Sequence, residues 1–488
     1  MTGNNGDRDW VVVSPETVGI PSQAVLNFID RLEFEGLCMH GFIMLRDGKV
    51  FAEGYYAPFH ADFPHRMFSI SKSFTSVAIG LLQEEGKLSI NDRICDYFPD
   101  KIPAGGPHPY IRETTIRDML RMTSPHKSTT YKLMECDDWV KTFFHVEPVR
   151  YPGTTFVYDT SASHVLAAMV ERLSGMSLLE YLKVRVLDKI GCTGKFRWLT
   201  DPMGVSQGGS GLICTLRDMT RFAVMCMNNG VYNGQRIVPE EYIREATSKQ
   251  TDTCMLYGIE EQQGYGYQFW RCRNNGFAMY GMGGQLAICL PDFDFILATN
   301  ADNQGIPNGI HSVYSALWTE IFPYLKEKKG ALKEDRASGE KLKDRLSKLE
   351  VKVVKGSVFR EIAGEINGKR YLMAPNQMGI SECRLEFREG NEGTFFYINE
   401  TGSHRIDFGL GHMKQQNFPE IDLLSINSAA WVSGNTLHLR SYIIDELPAS
   451  VNITITFKGN TVTVAMKKIA ENALNRYEGF ASGAAAEQ

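Results

Sequence analysis

The amino-acid sequence predicts an α+β protein followed by a second, β-rich domain, on three observations. Runs of strand character lie near both ends of the first 325 residues, helical periodicities fill the stretch between them, and strand patterns dominate beyond residue 350. A chain of 488 residues also exceeds what one ordinary hydrophobic core organises, so two domains are expected.

The first strand signal is Phe42 to Glu53, two apolar runs around Asp47-Gly48, the chemistry of a tight hairpin. From Ile70, apolar residues recur at Phe74, Val77 and Leu81, a helical spacing that Gly86 can close. Further helical patterns cover Ser161 to Leu173, Leu178 to Val186, Leu216 to Met227 and Ser312 to Leu325. Strand-like runs return at Leu286 to Leu290 and Phe293 to Ala298. The expected first domain, residues 1–325, is therefore an antiparallel sheet flanked by helices, with a mostly helical lobe.

Residues 326–350 carry almost no large apolar groups and read as a charged, solvated helix or linker. Residues 351–480 contain TFFYI, TLHLRSYI, VNITITF and TVTVAM, punctuated by Asn367-Gly368, Gly434-Asn435 and Gly459-Asn460. An antiparallel meander or small, lipocalin-like barrel is expected there, and residues 481–488 read as a disordered tail.

Hydrophobic residues at 43% and charged residues at 22% fit an ordinary globular composition. A formal charge of −5 offers no long-range attraction for nucleic acid or an anionic membrane, so a small-molecule partner is expected. Met1 to Trp10 lacks the basic start and apolar stretch of a secretory leader, and no later apolar run approaches a membrane span, which points to a cytoplasmic protein. Ten cysteines without a C-x-x-C pair and eleven histidines without H-E-x-x-H give no reason to expect a metal or any cofactor. Oligomeric state stays open, a homo-oligomer among the readings, with the second domain expected either to cap the site or to mediate self-association.

A serine hydroxyl is a weak nucleophile at neutral pH and needs an adjacent base, so a serine and a lysine three apart on one helical face are chemically suggestive. Ser69 and Lys72 form such a pair, but the same spacing occurs at Ser124/Lys127 and Ser338/Lys341. Context separates them. The first pair opens a strongly apolar helix, where backbone N–H groups are available to a developing oxyanion; the second contains Pro125 and the third lies in the charged stretch.

The run MFSISKSFTS resembles the active-site helix of the serine β-lactamase and penicillin-binding-protein family, which includes class C β-lactamases, D-alanyl-D-alanine peptidases and related esterases and amidases. The resemblance runs from about Val13 to Ile321, with softer marks in GKLSINDRICDYFP, TTIRDMLRMTS and GGSGLICTLRDMTRF. It implies the β-lactamase/transpeptidase-like fold for the first domain, with Ser69 as nucleophile and Lys72 as its base. The family's second element, a tyrosine followed two residues later by asparagine, falls on PGTTFVYDTSA, so Tyr158 would be the second base, its pKa lowered by the neighbouring ammonium. Thr160 stands where the asparagine would be; it can still hydrogen-bond Lys72 but presents no amide to a substrate.

The third element, a lysine or histidine followed by a small residue and glycine, falls on Met282-Gly283-Gly284. The glycines would let a substrate approach the strand edge, and by family analogy the N–H of Gln285 would complete an oxyanion hole with that of Ser69. Met282 cannot hold a carboxylate as a cation would, so the resemblance is modified toward a substrate that is neutral near its reacting carbonyl or whose charge is met elsewhere: esters and simple amides move up, efficient penicillin hydrolysis moves down, and peptides and lactams stay open.

Arg66, His65 and Asp159 flank this constellation and read as structural hydrogen-bonding groups. Thr215 with Asp218 reads as a capping box, and Trp139, Phe143 and Phe144 as core in preference to pocket lining. The expected function is ester or amide cleavage through an acyl-enzyme on Ser69. Acyl transfer from the same intermediate, a catalytically silent ligand-binding homologue, and a ligand-binding β domain remain the alternatives.

Overall fold

A computed structural model of the protein describes residues 10–327, 330–470 and 473–486. The chain divides into two compact units, Met1–Glu350 and Val351–Gln488.

The first unit is built on a six-stranded antiparallel sheet. Edge to edge its strands are Lys49–Tyr55, Met39–Arg46, Phe295–Ala301, Gln285–Leu290, Gly276–Gly281 and Trp270–Cys272. The predicted hairpin at Asp47-Gly48 is present, both residues adopting positive φ (52° and 69°). The two ends of the unit's sequence thus meet in one sheet: Met39–Arg46 pairs with Phe295–Ala301, from Met39 opposite Ala301 to Arg46 opposite Phe295.

Between these ends the chain forms the helical lobe. Its centre is the helix Ser71–Glu84, buried continuously from Ser71 to Leu82. A helix this buried must satisfy its polar side chains internally. Ser71 Oγ donates to Phe68 O and accepts from Leu212 N, Ser73 Oγ donates to Gln268 O, Thr75 Oγ1 donates to Gly208 O, and Ser76 pairs with the Tyr242 hydroxyl. The helices Thr160–Ser174 and Leu216–Met227 pack around the same core, the latter with the bounds its periodicity predicts. The predicted Ser312–Leu325 helix is instead a short α-helix, Gly309–Ala316, a π-turn, Leu317–Ile321, and a last helix, Phe322–Lys326.

Of the two readings of the charged stretch 326–350, helix or linker, the helix is present, residues 328–329 lying outside the description: Arg336–Ser347 is a mostly exposed helix of the first unit in which Leu342 is 4% exposed and Arg345 pairs with Glu33 of the helix Ser22–Phe34. One buried leucine and a cross-helix ion pair accompany its seating on the first unit.

The second unit is a ten-stranded sheet whose strands alternate inward apolar and outward polar residues. Its order is Gly402–Leu410, Glu392–Asn399, Glu382–Arg388, Arg370–Met373, Gly479–Ala485, Thr461–Ile469, Ala449–Lys458, Thr436–Ile443, Leu423–Trp431 and Lys414–Phe418. A parallel pairing of Gly409 with Ser428 and Leu410 with Ala429 joins the first strand of this order to the penultimate one. Inward residues such as Phe395, Tyr397, Phe408, Trp431 and Phe457 fill the centre. The predicted tail is corrected here: Gly479–Ala485 is a strand lying between Arg370–Met373 and Thr461–Ile469, with only residues 487–488 outside the description. Its small residues have a packing reason, because a Cβ on Gly483 would lie 2.2 Å from Leu372 O.

Candidate active site

Ser69 occupies the 3-10 turn Phe68–Ile70 that leads into the central helix. Phe68, just before it, has φ 47°, a left-handed conformation that is strained for a bulky side chain and persists only where the surroundings enforce it. Here Met67 N donates to Leu212 O at 2.8 Å, and Ser71 Oγ donates to Phe68 O at 2.5 Å. The turn is thereby clamped on either side of the strained residue, and the Ser69 side chain stays half-exposed.

One helical turn on, Lys72 is 1% exposed and brings Nζ to 3.0 Å from Ser69 Oγ, 3.3 Å from Thr160 Oγ1 and 2.7 Å from Gly209 O. The spacing of the serine and lysine gives the first contact, while the other two come from distant segments. Gly209 can approach only because it lacks a side chain: a Cβ there would lie 2.5 Å from Thr160 Cγ2 and 3.2 Å from Lys72 Nζ.

Tyr158 and Thr160 are set by the start of the helix Thr160–Ser174. Asp159, fully buried, is its N-cap, accepting from Ser161 N at 2.9 Å and from Ser124 Oγ at 2.8 Å. That cap fixes the residues on either side of it. Tyr158 hydrogen-bonds Ser69, and its ring centroid lies 4.7 Å from Lys72 Nζ. Burial raises the Tyr158 phenol above its usual 10.0, against the opposing effect of the Ser69 hydrogen bond. The expected lowering by a neighbouring ammonium is therefore corrected: the lysine nitrogen sits over the ring face, burial dominates, and Tyr158 is a neutral phenol at neutral pH.

Met282, Gly283 and Gly284 form the turn between Gly276–Gly281 and Gln285–Leu290, the two glycines with φ 83° and 106°. This turn is braced from below. Gln285 Nε2 donates to Met282 O and Ala301 O, both at 2.7 Å, and its Oε1 accepts from Ala301 N at 3.1 Å. Asn303 N donates to Gly283 O at 2.8 Å, and Thr299 Oγ1 donates to Gly284 O at 2.8 Å. The strand end comes so close to the turn bearing Ser69 that a Cβ on Gly281 would lie 2.3 Å from Met67 O. Ser69 and the Met282–Gln285 segment thus share one corner of the unit.

Several neighbours were not singled out by sequence reasoning. Trp270 stacks on Tyr158 at 5.8 Å between centroids and Tyr265 meets it edge-on at 6.4 Å; Phe156, Leu256 and Tyr280 complete this apolar cluster. Gln268, 2% exposed and at φ 65°, receives Ser163 Oγ at 2.6 Å and donates to Met119 O and Leu120 O. Of these partners only Gly209 left a trace, in the GGSG run; the rest follow from folding.

The flanking residues behave as structural groups. His65 Nε2 and His40 Nδ1 share a 2.8 Å hydrogen bond, His65 Nδ1 faces Arg66 O at 2.9 Å, and Arg66 Nε donates to Ser210 O at 3.3 Å. Burial pushes His65 down from 6.5 to about 4 and lowers His40 as well. Thr215 and Asp218 cap Leu216–Met227, Phe143 and Phe144 are core, and Trp139 stacks on Tyr131 at 4.1 Å. Ser124 is engaged with Asp159, and Ser338 bonds Asp335 at the cap of the Arg336–Ser347 helix, so neither forms a second serine–lysine site. Among the described residues, no group of three or more His, Cys, Asp or Glu side chains could hold a metal ion, and no helix is long and apolar enough to cross a membrane.

An antiparallel sheet with a helical lobe, and a serine under a buried lysine at their junction, define a serine hydrolase of the β-lactamase and penicillin-binding-protein type. The Beta-lactamase family model matches residues 41–303, and the chain belongs to that family. The 6-aminohexanoate-dimer hydrolase of Paenarthrobacter ureafaciens is 25% identical over 268 residues, 51% of this chain and 68% of its own length. A Bacillus anthracis protein provisionally named as a 6-aminohexanoate-dimer hydrolase has a similar fold, with a TM-score of 0.54 and 21% identity over 65% of this chain and 87% of that one. So does EstCE1, a hydrolase with promiscuous acyltransferase activity, with a TM-score of 0.50 and 15% identity over 61% of this chain and all of that one (100%).

Proposed function

We propose that this chain cleaves an ester or amide bond through an acyl-enzyme on Ser69. The observation that carries the reading is the 3.0 Å contact between Nζ of the buried Lys72 and Oγ of the partly exposed Ser69, a proton-transfer distance. Lys72 takes the Ser69 proton as Oγ bonds to the carbonyl carbon. The N–H groups of Ser69 and Gln285 donate to the oxyanion, the latter held in place by the braced glycine turn. Tyr158, a neutral phenol hydrogen-bonded to Ser69, passes that proton on from Lys72 to the leaving alcohol or amine as the carbonyl–leaving-group bond breaks, which returns Lys72 to its neutral form. Water then attacks the acyl carbonyl, losing its proton to Lys72, and the acid departs while Ser69 regains its hydrogen.

The substrate is a small molecule, neutral near the reacting carbonyl: Met282 replaces the cation that would hold a carboxylate, and the aromatic cluster around Tyr158 is apolar. The hydrolase names of the relatives support cleavage of an amide or ester, and the acyltransferase activity of EstCE1 keeps acyl transfer to a second alcohol or amine as the other outcome of the same intermediate. Thr160, Met282, Gly283 and Gly284 would line the acyl site. No cofactor takes part in these steps.

Intact-mass spectrometry after treatment with a fluorophosphonate, alongside turnover of p-nitrophenyl acetate, tests the reading. A single covalent adduct and turnover are expected, both absent in Ser69→Ala. A wild-type chain that neither labels nor turns over ester sinks it in favour of a silent ligand-binding homologue.

A further inference from the structure

Large apolar side chains on a loop are normally turned inward. Between Asp252 and Glu260 this chain does the opposite, leaving Met255 89%, Tyr257 104% and Ile259 52% exposed. Both ends of the segment are tied down. At the first end Thr251 N donates to Tyr265 O at 2.9 Å and Thr251 Oγ1 donates to Arg121 O at 3.1 Å. At the other, Glu260 Oε1 accepts from Arg273 Nε at 2.6 Å and from Trp318 Nε1 at 2.8 Å, and Glu261 Oε1 accepts from the Tyr280 hydroxyl at 2.9 Å.

The middle of the loop is anchored too, and its anchor locates it. Leu256 packs into the cluster of Tyr158, Trp270, Tyr265 and Tyr280. Leu256 turns inward onto Met122, Tyr265 and Trp270, on which Tyr158 also packs, while Met255 and Tyr257 on either side of it are exposed. The loop thus sits against the same aromatic cluster that packs on Tyr158.

We infer that this loop is a specificity rim that receives the leaving group of the substrate, and that the leaving group is an apolar alcohol or amine. The inference rests on the acyl-enzyme reading of Ser69, Lys72 and Tyr158. In acylation the Ser69 oxygen–carbon bond forms, the bond to the leaving oxygen or nitrogen breaks, and the proton lost by Ser69 ends on that departing atom by way of Tyr158. The departing half therefore lies on the Tyr158 side, where Leu256 carries the rim. An alkyl or aryl group there covers Met255 and Tyr257, and each methylene removed from water on one face strengthens binding about twofold, half the free energy of full burial.

The test compares two ester series by pH-stat: methyl, butyl and hexyl acetate, which lengthen the alcohol, and methyl acetate, butyrate and hexanoate, which lengthen the acyl group. In the wild type kcat/KM is expected to rise about tenfold or more along the alcohol series, and the slope to fall to within about twofold in Met255→Ser/Tyr257→Ser. Ile259→Ser alone should give an intermediate slope, so the outcome does not depend on one variant. A flat alcohol series in the wild type overturns the inference, as does a rim substitution that flattens only the acyl series. A double variant with unchanged slopes but a smaller mass by light scattering also overturns it, by making the rim a contact between copies of this chain. Failure of the wild type to label with fluorophosphonate removes the acyl-enzyme reading instead, which separates the two failures.

Discussion

The floor and the rim of the site are built by opposite means. On the floor, polar side chains are buried and held by several partners each: Lys72 by three oxygens, the Gln285 amide by three backbone groups, Asp159 by the helix it caps. On the rim, apolar side chains stand in solvent with only Leu256 inserted. Over-determined groups keep their geometry at a cost of adaptability, whereas a loop with exposed side chains contributes contact area and little fixed geometry. The floor should accordingly set the rate of the chemistry and the rim the choice of substrate.

The sharpest way to break this division is at Lys72. Lys72→Met keeps the length of the side chain and removes the base, and kcat for p-nitrophenyl acetate is expected to fall about 10^3- to 10^4-fold with the circular dichroism spectrum unchanged. A loss below tenfold would mean that the 3.0 Å contact with Ser69 is not the one that moves the proton.

The support under the floor should show in stability. Burial holds His65 near 4 and depresses His40, so both are neutral in the folded state at neutral pH, whereas unfolded histidines take up a proton near 6.5. Their folded pKa values lie below the unfolded ones, so the stability they contribute is present above about pH 6.5 and is lost as pH falls toward 4. For His65 this amounts to about 3 kcal/mol. Urea midpoints measured across that window should fall more steeply in wild type than in His40→Phe/His65→Phe; parallel slopes would assign the acid sensitivity to other groups.

Smaller effects are expected where the floor is braced and not formed. Gly281→Ala would push a methyl toward Met67 O, and Gln285→Leu would release the glycine turn from Ala301. Each should lower kcat about 10- to 100-fold with KM nearly constant, because the oxyanion contact is made chiefly in the transition state. Equal losses in KM and kcat would instead indicate a collapsed pocket. At the alkaline end, Tyr158 and the other buried tyrosines have raised pKa values, so their contribution to stability is intact below about 10 and is lost above it. Tyr158 should therefore produce no limb in a pH–rate profile between pH 6 and 9. The smallest effects belong to the rim, where substitution should change the ratio between esters more than any absolute rate.

What could be read without a structure was whatever depends on neighbours in sequence. The Asp47-Gly48 hairpin, the helix Leu216–Met227, the strands of the second unit and the spacing of Ser69 and Lys72 all rest on local turn chemistry and periodicity. Misreadings came where composition masked a packing role. Gly479–Ala485 has too few bulky residues to read as a strand, yet its smallness is what fits it between two others. Arg336–Ser347, legible as a solvated helix, shows the milder case: its tie to the first unit, a single buried leucine and an ion pair, left no mark in the composition.

The sequence by itself determined that Ser69 and Lys72 lie one helical turn apart, the α+β class and the strand-rich C-terminal unit, because a helical turn and a two-residue alternation are local geometry. Only tertiary structure decided the rest of the site. Gly209 O reaches Lys72 across 137 residues, and the Tyr158 phenol is held neutral by aromatic rings more than 100 residues away. Hydrogen-bond partners and burial are properties of the folded surroundings, and no spacing along the chain encodes them.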